Sequence, residues 1–244
     1  MDRQRLDQIL ISRSLFESRA KARAAIEAGG VRVNGVVVDK PSALVDGQAR
    51  LEAVAAHQWV GRGALKLDHA LDLWPVAVKG RIAVDVGAST GGFTEVLLER
   101  GAAKVFAVDV GRGQLHPRLV RDPRVVNLEG VDARALDARV ITEPPGLVVC
   151  DASFIGLAKV LPAALGLAAP DADLITLVKP QFEVGPERVG KGGLVRDTED
   201  RARAVLAVRD WLKLQGWPVQ GECESPITGG EGAVEFLLWA RRSP

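Results

Sequence analysis

The sequence predicts an α/β chain. A Rossmann-like, mostly parallel seven-stranded sheet with an antiparallel last strand should follow a small α+β module. Three observations carry that expectation. From residue 81 onward, short β-branched runs alternate with helical patterns, as in parallel strands covered on both faces. A glycine-rich turn, Gly87-Ala88-Ser89-Thr90-Gly91-Gly92, follows the first of those runs and opens a helix. Before residue 52 the texture differs, with two short amphipathic stretches and then a hairpin signal.

In chain order, residues 3–28 read as two short helices. Leu6, Ile9 and Leu10 sit at i, i+3, i+4 spacing, and Ala22, Ala25 and Ile26 repeat it after a break near Ser14-Leu15. Ser18 is the expected N-cap of the second helix and Gly29-Gly30 its stop. Val31-Arg32-Val33 and Val36-Val37-Val38 flank Asn34-Gly35, two residues that tolerate positive φ and so favour a tight hairpin. The module is expected to span residues 1–51, with a linker at 52–61 and the larger domain at 62–244. In that domain strands are expected at 81–86, 104–110, 125–129, 147–151, 174–178, 219–223 and 234–240. Helices are expected at 93–100, 157–169 and 200–215. The last two strands follow one another directly, which predicts an antiparallel pair at one end of the sheet.

Composition narrows the class of partner. A net charge of +1 over 244 residues gives no global attraction to nucleic acid, so any affinity must be local. Residues 1–40 hold eight Lys and Arg against five acids, a modest basic excess. Cys150 and Cys223, each inside an apolar run, offer neither a disulfide framework nor zinc spacing. They are expected to be buried thiols in a reducing compartment, and no metal site is expected. The N-terminus lacks the apolar stretch of a signal peptide. The longest apolar run, residues 156–170, is broken by Lys159 and Pro162 and falls short of the roughly 20 residues a span needs. A soluble, cytoplasmic protein without a membrane or DNA partner is expected.

The sharpest local signal is Asp85-Val86-Gly87-Ala88-Ser89-Thr90-Gly91-Gly92-Phe93-Thr94. At that place in a doubly wound sheet, the turn lets a ligand approach the backbone closely. Asp109 ends the second strand about twenty residues on, where an acid accepts hydrogen bonds from ribose hydroxyls. Asp132 follows the third strand at the same edge and is either an adenine contact or a solvated loop acid. The turn is neither Gly-x-Gly-x-x-Gly nor a P-loop. Lacking both phosphate signatures, it favours a nucleoside without pyrophosphate, which points to S-adenosylmethionine rather than NAD or ATP.

Five segments carry a family resemblance: Gly61-Arg62-Gly63-Ala64-Leu65-Lys66-Leu67, the Asp85–Thr94 turn, Asp151-Ala152-Ser153-Phe154-Ile155, Leu177-Val178-Lys179-Pro180-Gln181-Phe182-Glu183, and Val234-Glu235-Phe236-Leu237. Taken in order they closely resemble the TlyA (hemolysin A) family, rRNA 2′-O-ribose methyltransferases with an FtsJ-like catalytic domain. At the N-terminus, Arg5-Leu6-Asp7, Ser18-Arg19, Gly30-Val31-Arg32-Val33-Asn34-Gly35 and Lys40-Pro41 resemble an S4 RNA-binding domain. The resemblance covers almost the whole chain. It implies a catalytic tetrad of Lys66, Asp151, Lys179 and Glu235, with Lys179 as the base and the other three orienting it and the ribose. Asp151 and Lys179 are expected at the ends of strands four and five, Glu235 within the last strand, and Lys66 in the helix before the sheet.

A ribose hydroxyl is a weak nucleophile while a sulfonium methyl is already activated, so the reaction needs in-line positioning and a proton acceptor. A free lysine is protonated at neutral pH. Asp151 would hold that proton on Lys179, whereas Lys66, burial and the like charge of a bound sulfonium would expel it. For the RNA, Arg5, Arg19, Lys21, Arg32 and Arg62 are the expected phosphate contacts. Phe154, Phe182 or Trp59 would stack on bases, unless they are packing residues. Residues 181–197, with Gly185, Gly190, Gly192 and Gly193, read as a loop that closes over the target ribose.

Within the family the resemblance implies a cytidine in large-subunit rRNA, with small-subunit rRNA as a further target of longer members. The end of the chain just after its final expected strand favours the large subunit. Two places depart from the family pattern: His57-Gln58-Trp59-Val60 in the linker, where an arginine is usual, and Gly232-Ala233 before Glu235, where Gly-Asn is usual. The rival readings are a base or small-molecule methyltransferase, a non-catalytic S4 protein, and a pore-forming haemolysin. Asp151-Ala152-Ser153-Phe154 lacks the Asn-Pro-Pro-Tyr-like or cysteine signature that base methylation calls for.

Overall fold

The computed structural model describes residues 3–243 and separates into two compact units, one running through Arg62 and the other from Gly63. In the first unit β1 (Arg3–Arg5) leads directly into α1 (Leu6–Ser12), followed by α2 (Arg19–Glu27), β2 (Val31–Val33), β3 (Val36–Val37), β4 (Leu44–Asp46) and β5 (Leu51–Ala53). The two apolar stripes meet, so Leu6, Ile9, Leu10, Ala22, Ala25 and Ile26 form its core. Ser18 Oγ accepts the Lys21 N–H at 3.3 Å and caps α2. Asn34 and Gly35, at φ 51 and 84, turn β2 into β3 as their chemistry requires.

The expected linker begins inside this unit. β5 pairs antiparallel with β2, Val31 opposite Ala53, and the Val54 N–H donates to Gly30 O at 2.8 Å. Gly30 packs so closely on Val54 that a Cβ would stand 2.6 Å from its carbonyl oxygen. Backbone pairing therefore carries the module past residue 51, an extension no side-chain pattern announces.

In the second unit α3 (Ala64–Leu73) precedes β6 (Ile82–Val86), α4 (Gly92–Glu99), β7 (Lys104–Asp109), α5 (Pro117–Val120) and β8 (Val125–Glu129). After them come β9 (Leu147–Cys150), α6 (Leu157–Val160), α7 (Pro162–Leu167), β10 (Asp173–Val178), α8 (Pro180–Glu183), α9 (Thr198–Leu214), β11 (Val219–Glu224) and β12 (Phe236–Arg241). Among the described residues seven strands form one sheet, ordered β11-β12-β10-β9-β6-β7-β8, with β12 antiparallel to both its neighbours. From β6 the chain steps outward through β7 and β8, then crosses back to lay β9 on the other side of β6. The loops leaving β6 and β9 thus diverge, and the crevice between them at the carboxyl ends of the strands is where such sheets bind ligands.

Three local expectations need correction. The helix expected over 157–169 is two helices, because Pro162 has no N–H to continue the ladder and instead starts α7. Glu235 lies just ahead of β12, not within it. Phe236 pairs with Val178, the last residue of β10, and Pro180 soon ends that strand's capacity to pair. Residues 181–197 are not one open loop: α8, a 3₁₀ turn at Pro186–Arg188 and a Gly190–Leu194 bridge organise them. Of the two cysteines, Cys150 is buried and its thiol is pushed up to about 12 by desolvation, whereas Cys223, on edge strand β11, is only half-buried.

Candidate active site

Parallel pairing sets up the chemistry at the end of the sheet. β9 and β10 run side by side with Cys150 opposite Thr176, so Asp151 and Lys179 leave their strands as near neighbours. Lys179 Nζ lies 2.6 Å from Asp151 Oδ1 and donates to Ser153 Oγ at 2.8 Å. β12 runs back along β10, and the residue before Phe236 falls opposite the residue after Val178, which brings in Glu235. Lys66, on the first turn of α3, donates to Glu235 Oε2 at 2.6 Å and lies 3.6 Å from Asp151 Oδ2. All four expected tetrad residues thus gather into one chain of charges, Glu235–Lys66–Asp151–Lys179. Lys66, Lys179 and Glu235 are buried, with 7%, 7% and 3% of their surfaces exposed.

Bare glycines make room for it. At Gly63 a Cβ would stand 3.3 Å from Asp151 Oδ2, and at Gly229 one would stand 2.2 Å from Glu235 Oε1. The departure at Ala233 does not displace Glu235: Ala233 is buried, and its carbonyl accepts the Gly229 N–H at 2.8 Å. Periodicity signalled neither glycine. Ser153 was equally invisible, since its hydroxyl matters only once Lys179 is beside it.

Next to the tetrad, at the β6/β9 switch, lies a cavity of about 560 Å³. Its wall includes Gly87 and Ser89 after β6, Asp109 and Gly111 after β7, Asp132, and Asp151 after β9. Gly87, at φ 83, sits against the next loop, where a Cβ would stand 3.0 Å from Ala152 Cα. Asp109 accepts the Ser89 N–H at 2.8 Å and the Gly111 N–H at 2.7 Å, which fixes both turns and leaves further lone pairs facing the cavity. Asp132 caps a 3₁₀ turn and pairs with Arg134 at 2.6 Å, which pulls its carboxyl below the usual range. Gln114 and Gly111, which the sequence did not single out, also line this space.

Other members of the turn do not form the cavity wall. Ala88, Gly92 and Phe93 are buried, Thr90 is exposed, and Gly91, at φ 94, meets Leu115 and Leu119 where a Cβ would be. They shape the turn and start α4. Asp85 lies behind it, without exposed surface. Its Oδ2 accepts from Thr94 Oγ1 at 2.7 Å, while Oδ1 is buried with no hydrogen-bond partner among the described residues. Burial pushes this carboxyl up to about 7, the Thr94 hydrogen bond opposes the shift, and the charge of Asp151 adds to it. Glycine-floored walls and a nucleoside-sized cavity with ribose-competent acids fit a nucleoside ligand.

The expected RNA cations are not free charges. Arg5 and Arg19 both converge at 2.9 Å on Asp7, which has no exposed surface. Lys21 pairs with Glu17 at 2.7 Å, Arg62 with Glu27 at 3.5 Å, and Arg32 donates to Gly35 O at 3.1 Å. Phe154 is 91% exposed at φ 67, its ring 5.4 Å from that of Phe182, whereas Trp59 is buried.

Strand order, switch-point cavity and charge cluster together describe an α/β domain of the methyltransferase type. Residues 59–242 match the FtsJ-like methyltransferase family and residues 4–51 the S4 domain. The chain is 51% identical over 241 residues to the 16S/23S rRNA (cytidine-2′-O)-methyltransferase TlyA of Mycobacterium tuberculosis, covering 98% of this chain and 90% of that one. It is 35% identical to the 23S rRNA (cytidine-2′-O)-methyltransferase TlyA of Campylobacter jejuni, over 74% of this chain and 70% of the relative. A solved Streptococcus thermophilus structure assigned as a hemolysin superposes with a TM-score of 0.79 at 37% identity, covering 100% of this chain and 90% of the other. The chain belongs to the TlyA (hemolysin A) family of FtsJ-like methyltransferases.

Proposed function

We propose that this chain methylates the 2′-hydroxyl of a cytidine ribose in ribosomal RNA, with S-adenosylmethionine as donor. The observation that carries the reading is the convergence of Lys66, Asp151, Lys179 and Glu235 beside the switch-point cavity. When bound, S-adenosylmethionine supplies a methyl group on a sulfonium, with an uncharged thioether as leaving group. Gly87, Ser89 and Asp109 would hold its nucleoside portion, with Asp132 at the rim; Asp85, behind the turn, and Ala88, Thr90, Gly91, Gly92 and Phe93 keep the turn in shape.

Lys179 would accept the ribose hydroxyl proton while that oxygen takes up the methyl group. As a neutral amine it has two N–H bonds and one lone pair. Ser153 Oγ and the Asp151 backbone carbonyl accept from it at 2.8 and 3.4 Å, and the Asp151 carboxylate lies 2.6 Å away as its ion partner, which together orient the amine. Lys66 and Lys179 share the Asp151 carboxylate, at 3.6 and 2.6 Å. Glu235 in turn fixes Lys66. The cluster pairs two ammonium groups with two carboxylates.

Arg5, Arg19, Lys21, Arg32 and Arg62 would meet RNA phosphates, and exposed Phe154 would stack on a base. Large-subunit rRNA is the proposed substrate, since 23S is the target common to both named relatives; the place of action is then the cytoplasm. Among the described residues no helix is long and apolar enough to cross a membrane.

The test is methyl transfer from labelled donor to isolated large and small subunits, followed by mapping of alkali-resistant linkages. Label in a large-subunit cytidine ribose is expected, and K179A should lower the rate by roughly 10²–10⁴-fold. Label on a base, or none on either subunit, would overturn the assignment.

A further inference from the structure

We propose that Glu183 is a positioning residue that latches residues 151–157, carrying Ser153 and Phe154, onto residues 179–183. The inference rests on the reading of Lys179 as the proton acceptor for the ribose. Glu183 touches neither the tetrad nor the cavity wall; its carboxyl is half-buried under the loop after β9. Glu183 Oε1 accepts the Leu157 N–H at 2.9 Å. That N–H belongs to the first residue of α6 and has no partner within its helix.

The latch closes the far end of a short seam. At the near end Asp151 and Ser153 hold Lys179 at 2.6 and 2.8 Å. At the far end Gly156 lies flat on the other segment: a Cβ there would stand 3.2 Å from Phe182 O and 3.3 Å from Glu183 Oε2. Between the anchors sits Phe154, a non-glycine residue at φ 67 with 91% of its surface exposed. An exposed aromatic in a left-handed conformation persists only while its surroundings hold it there, and here the chain on both sides is tied. Releasing the Glu183 end lets the loop relax, moves Phe154 and loosens the Ser153 hydroxyl from Lys179.

A second feature supports a specific role. Burial pushes the Glu183 carboxyl up to about 7, opposed only by its bond from the Leu157 N–H. Among the described residues no cation pairs with it. Such a carboxyl costs the fold stability, and a leucine or methionine would fill the space without that cost.

E183A removes the acceptor, E183Q keeps one, and G156A, at an ordinary φ of −73, wedges the seam against Phe182 O and Glu183 Oε2 while leaving the Glu183 side chain in place. Two readouts are compared: hydrogen exchange across residues 152–158 of the purified chain, and KM and kcat for methyl transfer to ribosomal subunits. E183A and G156A should each speed loop exchange at least tenfold and raise the subunit KM or lower kcat at least fivefold. Because Ala152, Ser153, Phe154 and Ile155 also line the cavity, affinity for S-adenosylmethionine by calorimetry should weaken in the same two variants and not in E183Q. E183Q should stay within threefold of wild type in every readout. Loop exchange within twofold of wild type in both E183A and G156A overturns the latch, as does an E183Q as defective as E183A. If the wild-type chain transfers no methyl group, the functional reading fails and the exchange comparison alone judges the latch.

Discussion

Strand β10 begins and ends in charge, and the two ends differ in how completely the charge is satisfied. At its start Asp173, without exposed surface, accepts from Arg81 Nη1 at 2.7 Å, Trp239 Nε1 at 2.9 Å, and Arg241 Nε and Nη2 at 2.9 and 3.2 Å. These partners draw the carboxyl below its ordinary value against the push of burial. Trp74 stacks on Trp239 at 6.2 Å, and a Cβ on Gly221 would stand 2.5 Å from the Trp74 ring nitrogen. Planar, forked donors fill the carboxylate's acceptor sites and leave nothing to react. Just past the other end, Lys179 meets Asp151 and Ser153 through a flexible stem, and the neighbouring carboxylates keep lone pairs in reserve. A saturated ion cluster holds a sheet together, whereas an unsaturated one of similar charge leaves acceptor sites open.

The largest test of this contrast sets K179A and D151N against D173A. The first two should lower methyl transfer by roughly 10²–10⁴-fold and leave the melting temperature within a few degrees. D173A leaves half-buried Arg81, exposed Arg241 and the Trp239 N–H without their shared acceptor and should cost about 1–3 kcal/mol in denaturant unfolding, with activity per folded molecule little changed. Comparable activity losses from both ends would erase the distinction. A smaller effect is expected at Lys66, which joins the two carboxylates: K66M should slow transfer roughly 10–100-fold, the worth of a lost charge-assisted hydrogen bond. Its stability, followed by circular dichroism, should also fall, because Glu235 is left buried and unpaired.

Asp85 sharpens the comparison through pH. Its folded carboxyl titrates at about 7, above the unfolded value, so the stability it contributes is complete below pH 4 and is lost as pH rises to 7. D85N should therefore gain melting temperature relative to wild type between pH 5 and 7, with the difference levelling off above that. A difference that stays constant with pH would show that Asp85 is already ionised when folded. The smallest expected effect lies in the N-terminal unit. Asp7, held down to about 2 first by Arg5 and then by Arg19, contributes stability above pH 4 that is lost as pH falls toward 2. D7N should flatten that acid transition when the unit's unfolding is followed by hydrogen exchange.

The same contrast explains what could be read before the fold was known. Asp173 looked like any acid at a strand boundary, since its partners Arg81 and Arg241 lie 92 and 68 residues away in sequence. Arg5 and Arg19 looked like surface cations because nothing in the pattern shows Asp7 turning inward beneath them. The glycine turn was legible because positive φ leaves a chemical signature, here at Gly87 and Gly91. Its residues proved unequal, however, and only Gly87 and Ser89 reach the cavity wall. Glu183 stood inside a quoted segment with no role, because its partner is a backbone N–H, and backbone carries no sequence.

By itself the sequence determined the alternation of strand and helix, the Asn34-Gly35 hairpin, the two meeting helix stripes and the place of the ligand turn. Each is a local consequence of side-chain shape, period or φ preference. Only the tertiary structure decided that Lys66, Asp151, Lys179 and Glu235 share one neighbourhood, that β5 extends the first unit, and that one Asp85 oxygen has no partner among the described residues. Those outcomes depend on strand order and register, which place residues more than a hundred positions apart within bonding distance, and no local preference encodes that.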